Sequence, residues 1–255
     1  MAVSWREEQR LSGQESPVSE FVVEIWRGRE SGKFVSYRVP QRESQTILDV
    51  VSHVQRRIDP TLSYRFACRV GMCGSCAMTV NGVPRWTCRT HVDRVAKDGH
   101  IRIEPLRNLP VIRDLAVDMA PFFDKWQRAT GRFMPSDKDN RQTFARVPPD
   151  SRERQAADAG IECIGCGVCY SACDVVAWNA DYLGPAALNR VWTLVNDSRD
   201  GGRREHLAAV AGDAGCHQCH SHQACMSYCP KDLNPTAAIA GLKRETVKSL
   251  LRGEL

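Results

Sequence analysis

Twelve cysteines lie in three compact runs, and their spacing indicates iron–sulfur chemistry. The first run, with C-x4-C-x2-C-x11-C spacing, consists of Cys68, Cys73, Cys76 and Cys88. The second, with C-x2-C-x2-C-x3-C spacing, consists of Cys163, Cys166, Cys169 and Cys173. The third consists of Cys216, Cys219, Cys225 and Cys229. The first spacing is typical of plant-type [2Fe–2S] loops and the second of bacterial ferredoxins, so the pattern predicts a chain that carries electrons one at a time.

The first run predicts a [2Fe–2S] site. Its first three thiols come from one tight loop, in which Gly71 and Gly74 let backbone amides approach the sulfur atoms. Cys88 supplies the distant fourth ligand. A structural zinc site is the alternative, but zinc usually takes two C-x2-C-like pairs, which this loop does not provide.

The other two runs predict two further clusters. In two-cluster ferredoxins the fourth cysteine of each run ligates the other cluster. That rule assembles a complete [4Fe–4S] site from Cys163, Cys166, Cys169 and Cys229. It leaves a site with three thiolates: Cys173, Cys219 and Cys225. Because His222 stands where a ferredoxin would place another cysteine, this last site predicts a [3Fe–4S] cluster.

Two alternatives remain open at this third site. Cys216 could supply the missing ligand, and His222 could do so through an imidazole nitrogen. The simpler interpretation, which we favour, makes Cys216 a free, partly buried thiol and His222 a space-filling or hydrogen-bonding neighbour. His217 and His220 would then line the pocket wall.

Composition narrows the class of protein. With 255 residues the chain is long enough for two domains, and its net charge of +5 is spread along the sequence rather than massed. We therefore predict no nucleic-acid binding, and a surface that is solvated or faces an acidic partner. The first 18 residues lack the apolar core of a signal peptide and mix acidic with basic side chains, which favours a bacterial cytosolic chain.

Neither G-x-G-x-x-G after a strand, nor G-x-x-x-x-G-K-[ST], nor G-x-S-x-G occurs in the sequence. It therefore offers no support for a flavin or nucleotide fold, and substrate oxidation is expected on a partner. No apolar stretch reaches the length of a spanning helix, so a role at a membrane would require an anchor from elsewhere.

The elements around the cysteines predict an α+β protein of two domains. Alternation of apolar and polar residues predicts a strand at 20–27, followed by a second at 34–39. Apolar residues at helical spacing predict a helix over 47–58, and a further strand is expected near 101–103. A hairpin is predicted from 77–80 and 83–88 around Asn81-Gly82. Residues 18–108 are thus predicted to form a β-grasp, plant-type ferredoxin-like domain after an N-terminal extension, 1–17.

Residues 109–255 are predicted to form an all-α, bacterial-ferredoxin-like domain. Helices are expected at 111–126, 185–195, 203–211 and 235–251, the last with Asn234 as cap and Pro235 in the first turn. The polar, proline-bearing segment 132–152 is expected to be a surface excursion.

The sequence resembles the iron–sulfur subunit of succinate dehydrogenase and fumarate reductase. The matching motifs are RFACRVGMCGSCAM at 65–78, CIGCGVCYSAC at 163–173, GPAA at 184–187, DSRD at 197–200 and CPKDLNP at 229–235. The resemblance extends from about Phe21 to Lys243. It implies an N-terminal domain docked on a flavoprotein (FAD) subunit that handles succinate and fumarate. It also implies a [3Fe–4S] cluster nearest the membrane and membrane anchor subunits that bind quinone, with the chain on the cytoplasmic face of the bacterial inner membrane.

The same resemblance implies roles for residues near the third cluster. Trp178 matches a tryptophan that lines the quinone pocket, while His220 and Lys243 match residues beside that site. For Trp178 the alternative is ordinary core packing, and for Lys243 a solvated helix position. Departures from the family pattern are Asp174, Cys216 and His222, all around the third cluster, so the electron acceptor and the type of anchor are open.

The predicted function is electron transfer between a flavoprotein subunit and membrane quinone, with no residue of this chain acting on the dicarboxylate. A related flavoprotein complex, such as a thiol-linked fumarate reductase, is one alternative. A free ferredoxin-like shuttle is another.

Overall fold

The computed structural model of the chain describes residues 19–136, 144–145 and 147–255. The predicted N-terminal extension and part of the predicted excursion at 132–152 lie outside the described residues.

The N-terminal part is built on a mixed sheet whose strand order is β2-β1-β5-β3-β4. These strands are β1 Glu20–Arg27, β2 Lys33–Pro40, β3 Ala77–Val80, β4 Val83–Trp86 and β5 His100–Glu104. β1 pairs antiparallel with β2 and parallel with β5, and β3 pairs antiparallel with both β4 and β5. Phe21, Val23 and Ile25 alternate onto the buried face of β1, as the sequence period of two predicts. The predicted strands and hairpin are confirmed, except that β4 ends at Trp86 and Cys88 lies in a following 3-10 turn, Thr87–Arg89.

One helix crosses this sheet. α1, Ile47–His53, begins with a capping box in which Thr46 and Asp49 satisfy each other's backbone amides. It continues as a π-helical turn, Val54–Ile58, with the amide of Asp59 donating to the carbonyl of Val54 over 2.8 Å. The predicted helix is thus confirmed in extent, but its last turn is wider than an α-helix.

The C-terminal part is a bundle of helices around a second core. Its helices are α2 Ala120–Arg128, α3 Arg152–Ile161, α4 Val168–Ser171, α5 Asp174–Trp178, α6 Gly184–Val195, α7 Arg203–Ala211, α8 Ala224–Ser227 and α9 Pro235–Leu251. The side chain of Asn234 accepts the amide of Ala237 at 2.9 Å and caps α9, as predicted. None of the helices in the described residues is long and apolar enough to cross a membrane.

The helix predicted over 111–126 is wrong in its first half. Residues there form two short antiparallel strands, β6 Val111–Arg113 and β7 Ala116–Val117, joined through Asp114 with φ +51°. The buried carboxylate of Asp114 accepts the amides of Gly28 and Ser63, at 2.8 and 2.9 Å, and pairs with Arg27 at 3.1 Å. These contacts with the N-terminal sheet outweigh the local helical pattern, which shows only after Met119.

The two parts are joined closely around Asn108. Its side-chain amide lies 3.1, 3.3 and 3.2 Å from the carbonyl oxygens of Tyr170, Ser171 and Cys173. Leu106 and Leu109 pack in the helical core, whereas Leu115 packs in the core of the sheet. The boundary between 108 and 109 stays a prediction, but the chain around it contributes to both cores.

Candidate iron–sulfur centres

The first thiol group lies on the loop before β3 and on the turn after β4. Backbone amides of Val70, Met72 and Cys73 point at the Sγ of Cys68, at 3.4, 3.3 and 3.3 Å. Gly71 and Gly74 both have φ near +70°, which bends the loop around this sulfur. The loop thus presents hydrogen-bond donors to a negatively charged sulfur, which is what a cluster thiolate needs.

The electrostatics of this group differ from one thiol to the next. The amide of Cys68 and the hydroxyl of Ser75, 3.0 Å away, lower the pKa of the exposed Cys73 thiol to about 6. Burial and the neighbouring Cys76 raise the pKa of Cys88 to about 11. One side of the site is therefore open and polar, and the other is closed.

The second thiol group surrounds a small cavity, about 20 Å³, inside the helical part. Its thiols are Cys163, Cys166, Cys169 and Cys229. Burial raises the pKa of Cys166 to about 12, and that of Cys169 well above its usual value. Iron would have to replace the protons of these thiols, because only its charge can keep thiolates in such a site.

The third thiol group surrounds a cavity that is equally small, about 20 Å³. Its thiols are Cys173, Cys219 and Cys225, and His220 and His222 also line it. The amide of Ser221 donates to the Sγ of Cys219 at 3.4 Å. Burial raises the pKa of Cys173 and Cys225. The structure thus brings together the two crossed sets of cysteines that the spacing predicts.

Cys216 is fully buried and lies beside this group without lining its cavity. Its Sγ is 3.9 Å from the Oγ1 of Thr246 on α9. His222, in contrast, faces the cavity.

Three more predicted residues gather at the same end of the molecule. Trp178 is 69% exposed, so the alternative of core packing is wrong, and its ring meets His222 edge-on at 5.9 Å. His220 lies 6.1 Å from His222, ring to ring. The Nζ of Lys243 donates to the carbonyl of Cys219 at 2.7 Å, which ties α9 to the third thiol group rather than leaving the lysine in solvent.

The first and second groups touch through Gly74. A Cβ placed on Gly74 would lie 2.6 Å from the Cβ of Cys166, closer than any real contact. Cys169 links the second and third sites in turn. Its pKa is raised by Cys229 of the second group and by Cys225 of the third.

The donor sets fit iron–sulfur clusters. Each site offers soft thiol ligands together with backbone amides that donate to sulfur. Among the described residues, no three His, Cys, Asp or Glu side chains converge on a single metal ion. Cluster ligands bind different iron atoms, so their sulfurs need not converge on one point.

Two residues that position these sites were missed by the sequence analysis. Ser75 contacts the Cys73 sulfur, and Asn108 holds the turn that leads to Cys173. Ser75 stands between two cysteines, which could have indicated its role. Nothing in the local sequence marks Asn108, because its partners are far along the chain.

Two ferredoxin-type modules that gather three groups of thiols define an iron–sulfur electron-transfer protein. Residues 22–124 match the family model of a 2Fe-2S iron-sulfur cluster binding domain, and residues 162–234 that of a 4Fe-4S dicluster domain.

Relatives that match most of the chain narrow the class of protein. The chain is 33% identical to the fumarate reductase iron-sulfur subunit of Haemophilus influenzae, over 84% of this chain and 86% of that protein. It is 36% identical to its counterpart in Mycobacterium tuberculosis, over 82% and 84%. Identity to the succinate dehydrogenase iron-sulfur subunit of Paracoccus denitrificans is 34%, over 80% and 78%.

A solved structure agrees. A chain of the Mycobacterium smegmatis Sdh1 complex in the apo form superposes with a TM-score of 0.82 at 25% identity, covering 91% of this chain and 97% of that one. The chain therefore belongs to the family of succinate dehydrogenase and fumarate reductase iron–sulfur subunits. It is the electron-transfer subunit of an oxidoreductase complex, and its family carries [2Fe–2S], [4Fe–4S] and [3Fe–4S] clusters.

Proposed function

We propose that every cysteine except Cys216 ligates a cluster, and that the chain passes single electrons between an FAD-containing flavoprotein subunit and membrane quinone. The ligands of the [2Fe–2S] cluster are Cys68, Cys73, Cys76 and Cys88. Those of the [4Fe–4S] cluster are Cys163, Cys166, Cys169 and Cys229. Those of the [3Fe–4S] cluster are Cys173, Cys219 and Cys225. When bound, the clusters accept and release one electron each.

The main support for this proposal is that the first thiol group contacts the second and the second contacts the third. Gly74 places the first group directly against Cys166 of the second, and Cys169 lies among thiols of the second and third groups. The three groups thus form a line. Both ends of the line reach the surface, through Cys73 at one end and through Trp178 and His220 at the other.

The exposed ends suggest two partners. The flavoprotein subunit docks at the first thiol group, and membrane anchor subunits cover the third. We place the chain at the cytoplasmic face of the bacterial inner membrane, as a peripheral subunit held by those anchors. Trp178 and His220 form the protein side of the quinone site, with Lys243 fixing the backbone of Cys219 behind them.

Two measurements on the purified complex test this. Low-temperature EPR during stepwise reduction is expected to show an oxidised three-iron signal, unchanged when Cys216 is replaced by Ser or His222 by Ala. Turnover should be supported by quinones and not by thiol acceptors, which separates this function from that of a thiol-linked fumarate reductase. A stable, soluble chain that purifies without partners would instead favour a free shuttle.

Substitution of Trp178 tests the acceptor end. Trp178→Ala is expected to lower quinone reduction by about tenfold, equivalent to one aromatic contact of about 1.4 kcal/mol. Flavin and iron contents should stay unchanged. Phe133→Ala, which removes another exposed aromatic ring, is the control. Equal quinone activity in the two variants would remove Trp178 from the site.

A further inference from the structure

A basic cleft lies beside the first thiol group and has no role in holding a cluster. It is an open cleft of about 350 Å³ on the helix side of the sheet. Four arginines line it: Arg42, Arg56, Arg57 and Arg69. Two carboxylates, those of Glu43 and Asp49, also reach it.

The charges of this basic cleft are not balanced from within. Asp49 pairs with Arg69 at 2.5 Å and also accepts the Thr46 amide in the capping box. Among the described residues, Arg42, Arg56 and Arg57 form no ion pair with any carboxylate, since none lies within 4.0 Å. Three guanidinium groups therefore face a single free acidic side chain, Glu43.

The pKa of the neighbouring His53 shows the same excess of positive charge. Burial lowers the pKa of His53, and the positive charges of Arg42 and Arg57 lower it further. The cleft therefore disfavours an additional cation and favours an anion.

The backbone that carries two of these arginines is held in place by the fold. Arg56 and Arg57 stand on the π-helical turn, a conformation that is often found at functional sites. The residue after that turn, Asp59, is anchored by the guanidinium of Arg27, the hydroxyl of Tyr37 at 2.9 Å and the hydroxyl of Thr61 at 2.6 Å. An anion that binds here would not have to order the backbone first.

The basic cleft is continuous with the loop of the first thiol group. Arg69 lines the cleft and lies between Cys68 and Val70 in sequence. On the same loop, the side chains of Val70 and Met72 are 55% and 63% exposed. An exposed apolar patch beside charged groups is the usual composition of a protein interface, with an apolar centre and a polar rim.

We propose that the basic cleft receives a carboxylate-rich segment of the flavoprotein subunit, while Val70 and Met72 form the apolar centre of the same interface. This inference rests on the proposed function, which places that subunit at the first thiol group. The paired charges orient the two proteins, so that electrons cross at the exposed side of the first group, next to Cys73.

The test uses the detergent-solubilised complex, immobilised through a tag on this chain. The release of the flavoprotein subunit is followed by its flavin absorbance at low salt. We expect Arg56→Glu with Arg57→Glu to speed release by about tenfold or more, because two attractions become repulsions. Arg56→Gln with Arg57→Gln should give an intermediate rate.

The control is Arg29→Glu with Arg204→Glu. It makes the same change in net charge at two exposed arginines outside the cleft, and should release the flavoprotein at the wild-type rate. Raising the salt concentration should bring the wild-type rate toward that of the Arg56 and Arg57 variants, since salt screens exposed charges. Iron content and the visible spectrum verify that each variant is folded. If the charge reversal prevents folding, the glutamine pair and the wild-type salt dependence decide the question.

Two results would overturn the proposal, and they differ in whether the proposed function survives. Wild-type release rates in the Arg56 and Arg57 variants, with no salt dependence, would exclude the basic cleft but leave the flavoprotein partner in place. A wild-type complex that contains no flavoprotein subunit would overturn the proposed function together with the cleft.

Discussion

The first thiol group and the two groups of the helical part differ in how far their sulfurs are exposed and in what surrounds them. In the first, the loop's own backbone amides point at Cys68, and the pKa of Cys73 is lowered to about 6. In the others, burial raises the pKa of Cys166 to about 12 and raises that of Cys173 as well. One thiol of the exposed loop, Cys73, therefore loses its proton readily, whereas the buried thiols, Cys88 included, depend on the charge of iron.

This difference fits the positions of the sites along the line of thiol groups. The first must exchange electrons with a partner at the surface, and an exposed polar loop permits that. The second is enclosed by helices and by the loop of the first. Burial keeps water away from its sulfurs, which is one of the ways in which a protein tunes a cluster.

The largest expected effect comes from removing a thiol that ligates the cluster of a different cysteine run. Cys229→Ser should abolish the [4Fe–4S] signal and leave the [2Fe–2S] signal, because Cys229 lines the second cavity together with the run from Cys163. EPR and iron analysis of the purified complex measure this. Cys216→Ser, which removes a buried thiol outside both cavities, should retain all cluster signals. The crossed arrangement is wrong if Cys229→Ser keeps its four-iron signal.

Gly74 tests the contact between the two kinds of site. Gly74→Ala places a Cβ 2.6 Å from that of Cys166 and forces a side chain into φ +69°. We expect a loss of about 2–5 kcal/mol, the sum of overpacking and left-handed strain, seen as cluster bleaching at lower temperature. Gly82→Ala has a similar φ, +79°, with open space around it, and should lose only about 1 kcal/mol. Similar losses in both variants would show that the loops can move apart at little cost.

Substitution of Asp114 tests how strongly the segment that follows the sheet is held against the N-terminal part. Asp114→Ala leaves the amides of Gly28 and Ser63 without their acceptor and removes an ion pair from Arg27. A buried donor without a partner costs about 1–3 kcal/mol, so a destabilisation of about 3 kcal/mol is expected. Thermal bleaching of the clusters measures it. The exposed Asp124 on α2 is the control, since its replacement by Ala should change the midpoint little.

The smallest effect concerns Asp59 and depends on pH. The hydroxyl of Thr61 and then the guanidinium of Arg27 hold the pKa of Asp59 well below its usual value. A carboxyl whose pKa is lower in the folded protein stabilises the fold above its unfolded pKa of about 4, and loses that effect as the pH falls toward the folded value. Asp59→Asn should therefore cost about 1 kcal/mol at neutral pH, after allowance for solvent screening.

The same measurement gives the sign of the effect. The difference in thermal midpoint between Asp59→Asn and wild type should shrink as the pH is lowered from about 5. A difference that grows on acidification would contradict the direction assigned to the pKa of Asp59.

Much of the fold could be predicted, because local signals were strong. Alternation in β1, the Asn81-Gly82 turn and the Asn234 cap each act over a few residues, and each predicted element is present. The helix predicted from 111 failed because the preference of residues 111–117 is outweighed by Asp114, which bonds to amides distant in sequence. A local pattern cannot report such a partner.

The cysteine spacing, read with the crossing rule of two-cluster ferredoxins, predicted which thiols form each set, and those of the second and third sets line common cavities. Only the tertiary structure decided what surrounds them. It placed Cys216 against Thr246 instead of in a cavity, exposed Trp178, set Gly74 against Cys166, and gathered the arginines of the basic cleft. Those features depend on burial and on contacts between distant segments, and both arise only once the two cores have packed together.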